Sequence, residues 1–148
     1  MLGGSKDYRV AVCKKLVNRY GFAYVSAREQ LAEQISKSSE VGRLVLDKIR
    51  AKELVQDSII NGLIQNRLSQ VDAQMQGYVL EGYPRTEGQV VALRDSHAQP
   101  TLIAILEENN NTSPEVMKVL GEKHQLALFK LGVGLSEEQS FEKICFHL

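Results

Sequence analysis

The sequence predicts an α/β domain built on a parallel sheet, and three observations carry that expectation. Segments with apolar residues at helical spacing alternate with short apolar runs, the pattern of strand–helix–strand units. One of those runs, Tyr78-Val79-Leu80, breaks at Gly82 and Pro84, as a buried parallel strand does where it meets a turn. A length of 148 residues suits one domain with a real core, and no repeat, low-complexity tract or linker divides it.

The elements follow in order. Leu2-Gly3-Gly4-Ser5-Lys6 opens the chain abruptly. A helix begins near Asp7 and runs to Tyr20, with Val10, Cys13, Leu16, Val17 and Tyr20 expected on its inner face and Gly21 as its C-terminal cap. Phe22 to Ser26 reads as a strand and Arg28 to Ile35 as a half-polar helix. Ser39 can cap a helix carrying Val41, Leu44, Val45 and Ile49. Another, about Asp57 to Ser69, has Ile59, Ile60, Leu63, Ile64 and Leu68 on one side. After the strand at Tyr78, Thr86 to Ser96 is helical and Pro100 introduces the strand Leu102 to Leu106. Asn109 to Pro114 is a turn-rich break that caps a helix ending near Gly121. Gln125 to Gly134 suggests a last strand, and Ser136 starts a terminal helix with Phe141, Ile144 and Cys145 inward.

Composition excludes several classes. Acidic and basic residues balance at 18 each, so no excess charge draws the chain to nucleic acid or an anionic membrane. The longest apolar run, Leu102 to Leu106, falls far short of the ~20 residues that span a bilayer. No apolar stretch follows Met1 as in a signal peptide. Cys13 and Cys145 have no metal-ligand spacing and read as free thiols in a reducing compartment. No metal site is expected, and the histidines receive no role.

Gly77 to Gln89 reads Gly-Tyr-Val-Leu-Glu-Gly-Tyr-Pro-Arg-Thr-Glu-Gly-Gln. Here the chain resembles the adenylate kinase family of nucleoside monophosphate kinases. Asn18 to Phe22, Lys52 to Val55, Gln99 to Leu102 and Glu142 to Leu148 resemble further family segments, so the likeness runs nearly end to end. It implies a single domain over residues 1–148, a three-layer P-loop-type parallel sheet with flanking helices and strand order 2-3-1-4-5. Residues 27–70 or so would form the helical segment that binds the monophosphate. The first strand is truncated to Leu2. Its loss would leave unpaired backbone along its neighbours, unless the chain is incomplete, the sheet rearranged, or a strand supplied by another chain. Between Leu106 and Gln125 there is room for one helix, enough for a crossover but not for the family's arginine-rich lid.

The resemblance also nominates site residues. Glu81 would lie near phosphates and magnesium, Arg85 would grip the monophosphate, and Gln89 would read adenine. Gly3, Gly4, Gly82, Leu54 and Val55 fall at further nucleotide-binding positions. A phosphate loop needs Gly-x-x-x-x-Gly-Lys-(Ser/Thr) because several backbone N–H groups must converge on phosphate oxygens. Laid from Gly3, this chain puts Tyr8 at the second glycine, Arg9 at the lysine and Asp7 beside the would-be triphosphate. Lys6 lies out of register for the lysine. The monophosphate contacts expected after the second strand are Ala27 and Ala32, with Arg28 expected to point elsewhere. Arg85 can instead pair with Glu81 or another acid, with a Pro84 turn that is cis in the family.

The expectation is therefore an adenylate-kinase-like pseudoenzyme with a structural or interaction role beside a protein partner, in the cytoplasm or in the ciliary axoneme. No cofactor is expected. The competing reading is a minimal kinase using Arg9, Glu81, Arg85 and Gln89 with Mg-ATP. A third is a module that binds AMP or ADP without chemistry.

Overall fold

The computed structural model describes residues 1–107, 112–123 and 127–148, the side chains of residues 122, 123 and 127 excepted. Its elements are β1 (Leu2–Gly3), α1 (Lys6–Tyr20), β2 (Ala23–Ser26), α2 (Ala27–Ser36), α3 (Glu40–Arg50), α4 (Asp57–Leu68) and α5 (Val71–Gln76). They continue with β3 (Tyr78–Glu81), α6 (Glu87–Arg94), β4 (Leu102–Leu106), α7 (Pro114–Lys123), β5 (Ala127–Leu131) and α8 (Glu137–His147). The expected alternation is borne out; α5 is an element that the periodicity did not announce. Of the break expected over Asn109 to Pro114, residues 109–111 lie outside the described residues, as does the start of the last strand at Gln125.

Two parallel ladders make the sheet. β2 pairs with β3, from Ala23 opposite Tyr78 to Ser26 opposite Glu81, while β1, β4 and β5 pair in that order. Met1 joins them. Its amino group donates to the Leu80 carbonyl at 2.8 Å, and its carbonyl accepts from the Gly82 N–H at 3.0 Å. Those bonds lay the start of β1 beside β3, giving β2-β3-β1-β4-β5, the order the resemblance implies. β1 thus lies at the carboxyl end of the sheet with a parallel neighbour on each side, and both of its residues are buried.

Local chemistry sets the ends. Ser5 caps α1 by accepting from the Tyr8 N–H, Ser39 caps α3 through the Gly42 N–H, and Ser136 with Gln139 forms a capping box on α8. Gly21 closes α1 in the left-handed region, its N–H on the Val17 carbonyl. The faces differ from expectation on two helices. On α1 the inward row is Arg9, Val12, Cys13 and Leu16, and Tyr20 is exposed, stacked on Phe22. The helix is rotated because Arg9 has a buried partner, so the row passes through it at spacings of three and four. On α3 only Val45 of the expected face is buried, with Val41, Leu44 and Ile49 at the surface. That helix packs chiefly on α2, with Gly42 lying against the Gln34 carbonyl, rather than on the sheet.

The core lies on both faces of the sheet. Val12, Cys13 and Leu16 of α1 and Ile144 of α8 cover Val79, Ala104, Leu106 and Leu131 on one face. On the other, Val90, Val116 and Leu120 cover Leu2, Ile103 and Ile105, and Ile64, Leu68 and Leu93 cover Val25 and Leu80. No helix among the described residues is long and apolar enough to cross a membrane.

Candidate functional site

The carboxyl ends of β1, β2 and β3 bring Gly3, Ser26 and Glu81 to one edge, where open parallel sheets hold their ligands. Gly3 and Gly4 turn the chain from β1 into α1 with φ of 71° and 56°. A Cβ on Gly3 would stand 2.0 Å from the Leu106 carbonyl oxygen, so the turn passes β4 too closely for any side chain.

Arg9 closes that turn from inside. Its Nε donates to Glu81 Oε1 at 2.6 Å, and its Nη1 donates to the Gly3 and Gly4 carbonyls at 2.7 and 2.8 Å. Both side chains are buried, at 7% and 5% exposure. The second carboxylate oxygen of Glu81 accepts from Ser26 Oγ at 3.4 Å. The cation in the lysine slot is thus bonded to the glycine turn's carbonyls and to the one carboxylate at the strand end. Glu81 pairs with Arg9, so of the alternative in which Arg85 pairs with Glu81 or another acid, the Glu81 half does not hold.

Tyr8, in the slot of the second glycine, does not intrude on the turn. Its hydroxyl bonds the Leu135 carbonyl at 2.6 Å and the buried Ser140 hydroxyl at 2.8 Å, which turns its ring toward α8.

Arg85 follows the cis Tyr83–Pro84 bond and is exposed, its Nε donating to the Gly82 carbonyl at 2.7 Å. Gln89 is 4% exposed and its amide is bonded at both ends: Oε1 accepts from the Arg85 N–H at 2.8 Å and Nε2 donates to Asp57 Oδ1 at 2.7 Å. Asp57 also accepts from Thr86 Oγ1 at 2.6 Å, and Tyr83 bonds Asn61 Oδ1 at 2.7 Å. Burial, then the Asp57 charge, pushes the Tyr83 phenol up to about 12. This network ties α4 to the turn after β3. Asp57 was legible only as a helix start, because a carboxylate at a first turn is ordinary there.

Two cavities share this edge. One, of about 490 Å³, is lined by the glycine turn and by Lys6, Arg9, Arg28 and Arg85, with no acidic residue in its lining among the described residues. It opens on the N-terminus of α1, whose free N–H groups add positive potential. Thr112 Oγ1, also in this lining, is buried without a hydrogen-bond partner among the described residues. The second cavity, about 360 Å³, is mainly apolar, with Leu31, Ile35, Ile49 and Ile60 facing Arg85 and Gln89. Arg28 lines both, contrary to the expectation that it points elsewhere, because α2 starts directly at the end of β2 and its first turn overhangs the sheet edge. Lys6, out of register as a loop lysine, is brought in by the same geometry at the head of α1. Leu54 and Val55 line neither cavity, and Leu54 is 92% exposed.

Among the described residues no group of three or more His, Cys, Asp or Glu side chains could hold a metal ion. Glu81, the position nominated near magnesium, has one oxygen on Arg9 and the other 3.4 Å from the Ser26 hydroxyl.

Residues 2–124 match the family model described as adenylate kinase. The chain belongs to the adenylate kinase family. It is similar to the adenylate kinase of Bartonella quintana, 34% identical over 113 residues, which are 76% of this chain and 54% of that protein. It is similar also to the probable adenylate kinase 2, chloroplastic, of rice (Oryza sativa subsp. japonica), 33% identical over 95 residues, 64% of this chain and 33% of that protein. The adenylate kinase of Fervidobacterium nodosum is 38% identical over 82 residues, 55% of this chain and 37% of that protein. The matched stretches thus span between a third and about half of these adenylate kinases.

Proposed function

We propose that this adenylate-kinase-like domain does not transfer phosphate, and that it serves as a structural or interaction module in a larger assembly. The observation that carries this reading is the engagement of Arg9. Phosphoryl transfer rests on cations held ready for charge developing on the transferred group. Here the cation in the lysine slot is buried against Glu81 and the Gly3 and Gly4 carbonyls. To meet a phosphate it would abandon a desolvated ion pair, which costs several kcal/mol on general grounds. The chain carries no arginine beyond Arg94 to replace it. Each missing stabiliser worth ~3 kcal/mol lowers the rate more than a hundredfold. Such a role fits a cytoplasmic assembly, the axoneme of cilia among them. The test is incubation with ADP and Mg²⁺: no ATP plus AMP is expected, and turnover abolished by Arg85→Ala would overturn the reading.

A second reading has its own support. The cationic lining of Lys6, Arg28 and Arg85 at the head of α1, beside a mainly apolar cavity, suits binding of AMP or ADP without chemistry. It predicts that either nucleotide raises the thermal midpoint and that Arg85→Ala removes the rise. No shift at millimolar nucleotide would discard it.

A further inference from the structure

The two cavities at the strand ends adjoin, and they differ in chemistry. They share Lys6, Arg9, Arg28, Gly82 and Arg85, and beyond that rim their linings diverge. One face of α2 spans the division. Arg28, Leu31, Ala32 and Ile35 follow at spacings of three and four, so a cation at the sheet edge gives way to aliphatic side chains along one stripe. From Arg28 to Ile35 that stripe is about 10 Å long. Ile49 of α3 and Ile60 of α4 complete the apolar wall. Ile49 is 52% exposed, and Leu31, Ile35 and Ile60 are half-buried, so the wall is apolar surface left open to water.

The polar side chains of the apolar cavity divide into engaged and unengaged. Arg9 and Glu81 hold each other, Ser26 donates to Glu81, and Gln89 is bonded at both ends of its amide. Lys6, Arg28 and Arg85 form no ion pair among the described residues. Arg85 gives its Nε to the Gly82 carbonyl, which leaves the donors of its two terminal nitrogens. Every other polar side chain of that lining has a partner within the protein. The surface therefore offers a cluster of positive charge at one end and an aliphatic wall at the other.

We propose that the adjoining cavities bind a phosphomonoester of an aliphatic alcohol. Its phosphate lies among Lys6, Arg28 and Arg85 at the head of α1, and its alkyl chain runs along α2 against Leu31, Ile35, Ile49 and Ile60. This rests on the reading of the edge as a binding site without chemistry, and it changes the organic half of the ligand. Three unpaired cations and the free N–H groups of the first turn of α1 favour a doubly charged head over a carboxylate. A nucleobase would bring ring nitrogens and amino groups against a wall whose polar side chains are already bonded, and each one left unpaired weakens binding. An alkyl chain brings none. Each methylene it removes from water adds up to about fourfold in affinity.

The test is a calorimetric titration of the intact chain with ethyl, butyl and hexyl phosphate at pH about 7.5, where the phosphate is largely a dianion. Kd should fall about two- to fourfold per added methylene. Hexyl phosphate should bind at least about tenfold more tightly than AMP, hexanoate or hexanol. Arg85→Ala should weaken the whole series by a similar factor, about tenfold. Ile49→Asn, at an exposed position, should flatten the dependence on chain length and leave ethyl phosphate unchanged. A flat series in the parent chain, AMP tighter than hexyl phosphate, or hexanol or hexanoate equal to it would each overturn the proposal. So would a series indifferent to Arg85→Ala or to Ile49→Asn. AMP binding beside a flat series would keep the nucleotide reading and remove this one, whereas no response to any phosphate would remove both.

Discussion

Arg9 and Glu81, seventy-two positions apart in the chain, meet at 2.6 Å with both side chains under a tenth exposed. The pair fastens the head of α1 to the end of β3, and through the two glycine carbonyls it also holds the turn after β1.

Removing one partner should therefore be far worse than removing both. Glu81→Ala leaves a buried guanidinium uncompensated and should cost about 3–5 kcal/mol of stability, whereas Arg9→Met with Glu81→Leu should recover most of it. Urea denaturation of the two single variants and the double variant, with m-values compared, checks this. A single variant as stable as the parent would show that water reaches the pair.

Gln89 is bonded at both ends of its amide, so its contribution should be structural before it is recognition. Gln89→Leu strands Asp57 Oδ1 and the Arg85 N–H and should destabilise by about 1–3 kcal/mol. It should also loosen α4 from the turn after β3, visible as faster amide exchange at Arg85. Unchanged stability with lost AMP binding would instead give Gln89 to the ligand.

Alkaline pH should weaken the fold in two steps. Burial pushes the Cys13 thiol up to about 11 from 9.0, and the Tyr78 and Tyr83 phenols up to about 12 from 10.0. The folded chain keeps these protons where the unfolded chain releases them. Stability is therefore flat below pH 9 on their account, and falls as pH rises from 9 through 11 for Cys13 and from 10 through 12 for the phenols. Chemical denaturation across pH 8–11 checks the sign. A thiol reagent in native conditions should react with Cys145 well before Cys13, which is fully buried.

The architecture was legible because it rests on local signals: periodicity for the helices, Gly82 and Pro84 for the end of β3, Pro100 for the entry to β4. The rotation of α1 was not, because apolar periodicity cannot see that Arg9 is buried; only its partner, distant in sequence, decides that. Glu81 was singled out correctly as a strand-end carboxylate, yet its partner was sought in Arg85, four residues on, rather than across the sheet. Arg28 was misjudged by the same route. Its direction depends on where α2 starts relative to β2, and a helix boundary read from sequence is uncertain by more than the single residue that matters here. Tyr8 could be seen as wrong for a phosphate loop, but its anchor at Leu135 and Ser140 lies beyond any local pattern.

Met1 has a consequence for the mechanics of the whole domain. The described backbone bonds that sew the β2-β3 leaf to the β1-β4-β5 leaf both belong to this one residue. The leaves are also bound on one face by α1 and α8 and on the other by α6, whose Val90 packs on one leaf and Leu93 on the other. Freeing that stitch would leave the two leaves joined through helix packing on both faces rather than through a backbone ladder.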